Sequence, residues 1–486
     1  MAEILDVTVT GDYCGVEVQL RDRTVALGVS DICSFPYSDP FEKIKSVTLY
    51  NSTGFKLTLE DGTEGFVSSR FFDDSSAADL VIVNASQLLD FPGGKLTVTE
   101  DGAVAVSKGK IVKKGTTSEV LNSVELAENF QIIDASGCVV SPGLVDCHTH
   151  PVFHGDRSRE FAMRLAGSTY DEILNSGGGI HNTVLKTREA SDDVLFQEAS
   201  ERLSTSLCGG VTSFECKSGY ALNYEDEIRT LKILKSLGQR MNIDISATLL
   251  AAHVIPMEFK DNRDEYIKLI LDKIIPEVGL KNLATTVDVF CEENAFTLDE
   301  TKRIFKKAQE YNLGTRVHAG QFTSQGAVKL AAESGSLSVD HLEVVSDEEL
   351  NALATSRTVA TLLPGAAFNL GMKMPDARRF LERGIRVALA TDMNPGTSMT
   401  VDLPMMMSFG CLQMGMTVEQ AWEAVTVNAA AAAGLYQVGA LYRGNQADLV
   451  IWNFSHYGML PYYSGKNHTR QIIKKGKIIP VQGSKR

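Results

Sequence analysis

His148-Thr149-His150 sets two imidazoles two residues apart, and His318, His341 and Asp392 stand far downstream, each at the polar end of a short apolar run. Side chains two apart on an extended strand face the same way, so one cation can accept both imidazoles of a His-x-His. The spacing alone is common. Here, however, His148, His150, His253, His318 and His341, most of the nine histidines in the chain, fall at the ends of β-rich segments. Three imidazoles and a carboxylate suit zinc or ferrous iron, and His148, His150, His318 and Asp392 are the expected ligands. A cation held this way lowers the pKa of a bound water toward about 7 and makes hydroxide available at neutral pH. Asp392 would then serve as ligand and base, and His341 would polarise the substrate or hold the hydroxide.

The runs that must position these residues alternate with segments of helical period between Val139 and Gly396. They are Val139–Val145, Val211–Phe214, Ile245–Ala251, Thr286–Phe290, Thr315–Val317, Leu337–Val339, Val359–Leu363 and Val387–Ala390. Continuous Val/Ile/Leu runs are the mark of parallel strands buried on both faces. Between them, Leu298, Thr301, Ile304, Phe305, Ala308 and Tyr311 share a helical face behind a Thr297/Glu300 capping-box pattern, and Ser346 with Glu349 opens another helix. Eight alternations predict an α/β fold of the (β/α)8 TIM-barrel type, about 250 residues long, whose strand C-termini share one face. The polar residues at the strand ends should therefore converge.

The 486 residues are 44% hydrophobic and 22% charged, enough for a large folded protein of more than one domain. A formal net charge of −14 without a Lys/Arg-rich stripe argues against nucleic acid as a partner. The N-terminus lacks a basic segment followed by an apolar core, and no run of about 18 apolar residues could span a bilayer, so no membrane association and a cytoplasmic location are expected. Eight cysteines with no Cys-x-x-Cys pair read as reduced, mostly buried thiols.

The flanks of the barrel echo each other. Ala78-Asp-Leu-Val-Ile-Val-Asn84 returns as Ala447-Asp-Leu-Val-Ile-Trp-Asn453, and Lys108–Lys114 resembles Lys474–Ile479. Residues 78–140 and 430–486 are expected to build one discontinuous β-sandwich around a catalytic barrel at 141–429. Residues 1–77 read as an accessory β module, with strand-like runs at Val7–Thr10, Ser46–Tyr50 and Phe55–Leu59 and no nameable chemistry.

The opening Pro142-Gly-Leu-Val-Asp-Cys-His-Thr-His150 resembles the amidohydrolase superfamily, whose members wrap a metal-dependent barrel in a discontinuous β-sandwich. Over residues 78–482 the chain is most similar to the imidazolonepropionase family, through Phe161–Tyr170, Gly177–Ile180, Glu215–Tyr220, Asp288–Glu292 and Ala390–Thr397. That resemblance implies hydrolysis of the cyclic amide of 4-imidazolone-5-propanoate to N-formimidoyl-L-glutamate in L-histidine degradation, one divalent ion per chain (zinc or iron) on the four ligands above, and a homodimer. It also implies a pocket for a small-molecule substrate lined by Arg157, Tyr170, Tyr220, His253, Gln321 and His341, with Asn394 and Gly396 in the last of the matching stretches. A guanidinium with tyrosine hydroxyls suits the propionate carboxylate, while His253 and Gln321 offer donors and acceptors to the ring.

Three positions depart from the family pattern. Gly320 and Gln321 stand where family members commonly carry two acidic residues, and His154 where glycine is frequent. An amide at Gln321 hydrogen-bonds but carries no proton, which leaves that work to Asp392 and His341. His154 reads either as an extra ligand or as a surface residue. The rival readings are a deaminase of nucleobases or other cyclic amidines, a binuclear hydrolase bridged by Glu292 or Glu293, and a non-catalytic scaffold on the same fold.

Overall fold

The computed structural model describes residues 77–168, 172 and 178–480 in full, together with the backbone of six strands between residues 4 and 68. Those six form two three-stranded antiparallel sheets, Ile4–Val9, Gly15–Leu20 and Thr24–Gly28 in one and Ile44–Asn51, Gly54–Leu59 and Glu64–Ser68 in the other. The chain divides into two compact units, residues 1–143 with 436–459 and 468–486, and residues 144–435 with 460–467.

The second unit is the barrel. Its strands are β1 (Leu144–Thr149), β2 (Val211–Lys217), β3 (Asp244–Ala252), β4 (Thr286–Cys291), β5 (Gly314–Ala319), β6 (Ser338–His341), β7 (Val359–Leu362) and β8 (Val387–Leu389), hydrogen-bonded in sequence order and all parallel. A parallel bridge between Thr149 and Met393 joins the last strand's extension to the first. The helices start where the capping residues stand: Thr297 with Glu300 and Ser346 with Glu349 form reciprocal capping boxes before Leu298–Glu310 and Asp347–Ala354. The (β/α)8 class expected from the alternating runs is the one observed.

The first expected run differs. Val139–Val145 is not one strand but two, since Val139–Pro142 belongs to the first unit, where it pairs antiparallel with Leu449–Trp452, and β1 begins only at Leu144. Proline has no N–H to give a ladder, and Gly143 follows it, so the apolar pattern runs on while the pairing changes.

In the first unit a single eight-stranded sheet carries both echoed segments. Its order is Lys477–Ile479, Thr469–Lys474, Leu449–Trp452, Val139–Pro142, Ala78–Asp90, Thr97–Ser107 and Lys110–Thr116, with Leu126–Asp134 pairing in parallel with Ala78–Asp90. Strands from both sides of the barrel in sequence thus share one hydrophobic core, in which Leu80, Ile82, Val104, Val140, Leu449, Ile451 and Ile473 are buried. Burial of these branched side chains, at about 1.5–3 kcal/mol each, is what holds the two distant segments in one sheet.

Among the described residues no helix is long and apolar enough to cross a membrane. The six described cysteines are all free, with Cys138, Cys147, Cys216 and Cys291 buried.

Candidate active site

At the C-terminal face of the barrel, His148 and His150 project from the end of β1 and His318 from β5, each buried, with ligating atoms that lie within 4.8 Å of one another. His148 Nε2 and His150 Nε2 are 3.3 Å apart, and Asp392 Oδ1 is 3.4 Å from the first and 3.5 Å from the second. Ligands about 2.0–2.1 Å from a tetrahedral ion have edges of about 3.3–3.4 Å, so these three atoms are spaced as ligands of one cation. His318 Nε2 is buried without a hydrogen-bond partner among the described residues, as an atom kept for a metal would be. The donor set fits a divalent ion of the zinc or iron type.

Barrel closure is what brings Asp392 there. Its N–H donates to the carbonyl of His148 at 3.1 Å, and the N–H of His150 donates to the carbonyl of Met393 at 2.9 Å. Asp392 sits at φ +52°, an uncommon conformation for a residue with a side chain. Asp146 ties the same two strands from below, accepting the Thr391 N–H at 3.1 Å and hydroxyl at 2.6 Å; burial pushes its carboxyl up to about 7 against those bonds. Burial would also raise Asp392, but hydrogen bonds from His148 and His150, with the charges of His148 and His341, hold its carboxyl well below the ordinary range.

Beneath the imidazoles lies a fully buried set of charges that the sequence did not reveal. Asp340 accepts from His148 Nδ1 at 2.9 Å, which leaves Nε2 as the metal-facing lone pair, and Asp288 lies 3.0 Å from His318 Nδ1. Lys217 bridges Asp288 at 2.8 Å and Glu215 at 2.9 Å. Arg316 donates to the carbonyls of Cys147 at 2.7 Å and Ala432 at 2.9 Å, and lies 3.4 Å from Asp340. Three carboxylates thus face two cations, all fully buried. Burial alone would raise Asp340, but Arg316 and His148 hold it far below the usual carboxylate range. Glu215 and Lys217, two apart on β2, and Arg316 inside β5 carry the signal that could have flagged the cluster: charged residues set within buried strands.

Around the metal-type cluster, His253 stacks on His150 with ring centroids 5.6 Å apart, and its Nδ1 donates to the carbonyl of Gly219 at 2.9 Å. Burial, with His150 beside it, lowers its pKa to about 3, so the ring is neutral and Nε2 is an acceptor. Tyr220 lies 5.9 Å from His150 and 5.5 Å from His253, ring to ring. Burial pushes its hydroxyl up, against the nearby charge of Arg157, so it stays a donor. Arg157 donates to Glu160 at 2.8 Å and packs against Gly396, where a Cβ would overlap the guanidinium. His341 ends β6 at φ +89°, its ring 5.5 Å from that of His318.

The loops that carry these groups are cradled by side chains whose part in holding them is not legible in the sequence. Glu227, fully buried on the helix Tyr224–Met241, accepts the N–H groups of Gly219, Ala221 and Leu222 at 2.9–3.2 Å and so fixes the turn that bears Tyr220. Glu292 accepts the N–H groups of Gln321 at 2.8 Å and Phe322 at 3.0 Å, and the N–H and hydroxyl of Thr323 at 3.2 and 2.5 Å. Both oxygens of the Glu292 carboxylate are thus engaged by that turn. Arg202 lies 3.6 Å over the Phe153 ring and donates to the carbonyls of Pro151 and Phe153, bracing the chain after His150.

The remaining expected residues fall as follows. Asn394 spends its amide on its own loop, donating to the Asp392 carbonyl at 2.7 Å and accepting from the Gly396 and Thr397 N–H groups at 2.8 Å. Gln321 is buried, with no hydrogen bond to its side-chain amide among the described residues. His154 is 38% exposed and pairs with Glu198 at 2.9 Å, apart from the imidazole cluster. Glu293 is likewise outside that cluster, and Tyr170 lies outside the described residues.

Residues 139–479 match the Amidohydrolase family. The chain is 45% identical to the imidazolonepropionase of Geobacillus thermodenitrificans over 390 residues, covering 80% of this chain and 92% of that one. It is 45% identical to that of Geobacillus kaustophilus, covering 84% and 95%, and 40% identical to that of Clostridium tetani, covering 82% and 98%. Among solved structures, a mutant atrazine chlorohydrolase from Arthrobacter aurescens TC1, complexed with zinc and atraton, superposes with a TM-score of 0.66 at 16% identity, covering 82% of this chain and 94% of that one. An adenosine deaminase from Xanthomonas campestris with bound zinc gives 0.66 at 16% identity, covering 84% and 94%. At such identities these two speak for the fold alone.

Proposed function

The chain belongs to the imidazolonepropionase family of amidohydrolases, and from that membership we propose how its own residues open the imidazolone ring. The reaction is hydrolysis of the cyclic amide of 4-imidazolone-5-propanoate to N-formimidoyl-L-glutamate, a step of L-histidine degradation. The spacing that supports the site assignment best is the 3.3–3.5 Å triangle of His148 Nε2, His150 Nε2 and Asp392 Oδ1 beside the orphaned His318 Nε2.

His148, His150, His318 and Asp392 would hold one divalent ion, zinc or ferrous iron. Such an ion supplies Lewis-acid polarisation and a water acidic enough to ionise near pH 7. Arg157 and Tyr220, with Tyr170, take the propionate carboxylate through charge-assisted hydrogen bonds. His253 accepts from a ring N–H through Nε2, because its Nδ1 proton is committed to Gly219. Gln321 orients the ring by its amide and transfers no proton. Asn394 and Gly396 act on substrate through placement: the one fixes the loop behind Asp392, the other leaves room for the Arg157 guanidinium.

With the ring so held, the water oxygen adds to the lactam carbonyl carbon and Asp392 receives the water's proton. His341 stabilises the oxyanion that develops. The ring C–N bond then breaks, the proton passes from Asp392 to the departing nitrogen, and the amidine nitrogens stay with the product as its formimidoyl group. One water is consumed and no ammonia is released.

Product analysis tests this reading. Metal-loaded protein should convert 4-imidazolone-5-propanoate to a product heavier by one water with no free ammonia. Ammonia release from guanine or cytosine, with the lactam untouched, would favour a deaminase instead. Elemental analysis decides between zinc and iron, and sedimentation tests the homodimer.

A further inference from the structure

Glu343, in the turn after β6, has a side chain only 2% exposed, and neither of its carboxylate oxygens has a hydrogen-bond partner among the described residues. An unpartnered buried carboxylate is costly, and a cost of that kind calls for a physical reason. The atom it faces is Nδ1 of His341, 3.6 Å from Oε2 and equally buried without a partner. At that separation the pair is short of a hydrogen bond by a few tenths of an ångström.

The backbone aims both residues. His341 and Leu342 adopt φ of +89° and +67°, which turns the chain sharply at the end of β6. The turn is clamped to the end of β5, since Leu342 N–H donates to the Ala319 carbonyl at 3.2 Å and Val344 N–H to the Gly320 carbonyl at 2.7 Å. Gly320 permits that approach: at φ +70°, a Cβ there would stand 2.5 Å from the Val344 carbonyl oxygen. The residue that flanks Glu343 therefore presses on a position where no side chain fits.

We infer that Glu343 is a positioning residue for His341, its carboxylate accepting the Nδ1–H so that Nε2 is presented to the substrate carbonyl. Held this way, the imidazole has one tautomer and one ring orientation. Gln321, on the neighbouring loop, has no acidic group to serve the same end. The inference rests on the ring-opening reading above and adds to it a residue with no place in the ligand set or the carboxylate clamp.

The test is a double-mutant cycle on the metal-loaded protein with 4-imidazolone-5-propanoate. Glu343→Leu should lower kcat about 10- to 100-fold with KM within about threefold, the range seen when an orienting partner of a histidine is removed. Glu343→Gln, which keeps an acceptor of the same shape, should recover most of that loss and guards against a leucine variant that fails to fold. With His341→Asn in place, adding Glu343→Leu should cost nothing further, since residues that act as a unit are non-additive. Independent, multiplicative losses, or a Glu343→Leu enzyme with wild-type kcat, would overturn the inference while leaving the reaction intact. A wild-type protein that never turns over the lactam would overturn the reaction itself, and this inference with it.

Discussion

Asp392 meets His148 twice: its backbone N–H donates to the His148 carbonyl at 3.1 Å, and its Oδ1 lies 3.4 Å from His148 Nε2. The same residue closes the barrel and completes the ligand set, so fold closure and metal-site geometry are one event. Asp392→Asn keeps the shape and the backbone bond but surrenders the anionic oxygen. It should lower kcat about 10²–10⁴-fold, as loss of a positioned base does, and reduce metal per chain after dialysis. Elemental analysis beside steady-state rates checks both.

The charges under the imidazoles should matter to folding as well as to metal. Lys217→Met leaves Glu215, Asp288 and Asp340 facing Arg316 alone, and an uncompensated buried charge should cost about 3–5 kcal/mol of stability. A urea midpoint that does not move would show the cluster to be balanced by other means. Asp340→Asn should act more locally, weakening metal affinity about 10–100-fold through the orientation of His148, read by competition with a chelator.

Arg157 and Gly396 make a linked pair. Arg157→Met removes a charge-assisted partner worth about 1.5–3 kcal/mol, so KM should rise about 10- to 100-fold. Gly396→Ala should raise KM in the same direction by displacing the guanidinium, with the metal content unchanged. A substrate analogue lacking the carboxylate should be handled alike by all three proteins; discrimination that persists with that analogue would place the carboxylate elsewhere.

His253 gives the site a pH signature. Its folded-state pKa is depressed to about 3 from 6.5, so between those values the unfolded chain binds a proton that the native chain does not. Stability is therefore present above about pH 6.5 and is lost as pH falls toward 3, by a few kcal/mol at most on the order of the shift. Urea midpoints measured from pH 8 to 4.5 should fall more steeply for the wild type than for His253→Gln. Parallel curves would mean that the ring is not kept neutral by burial.

Much of the site is legible in the sequence because a parallel barrel writes its strands as Val/Ile runs and puts chemistry at their ends. His148, His150, His253, His318, His341 and Asp392 all follow that rule. What was not legible is set by three-dimensional partnership. Val139–Val145 reads as one apolar run, yet its halves pair with different sheets, a change that hydrophobicity does not record. Glu227 looks like one more solvated acid in Tyr-Glu-Asp-Glu, and only the approach of three backbone N–H groups makes it a buried cradle. Lys217 and Arg316 interrupt strands in a way that flags them, but nothing in the sequence says which carboxylates they meet. Asn394, in a stretch that resembles the family, has its amide consumed by its own loop, a detail of turn geometry.

The most direct test follows the absorbance of 4-imidazolone-5-propanoate in the presence of purified protein, with and without a chelator, alongside elemental analysis. The site described here predicts one divalent ion per active chain, turnover that disappears with the ion and returns when zinc or iron is restored. Metal-loaded protein that leaves the absorbance unchanged, or activity that survives complete removal of the ion, would contradict it.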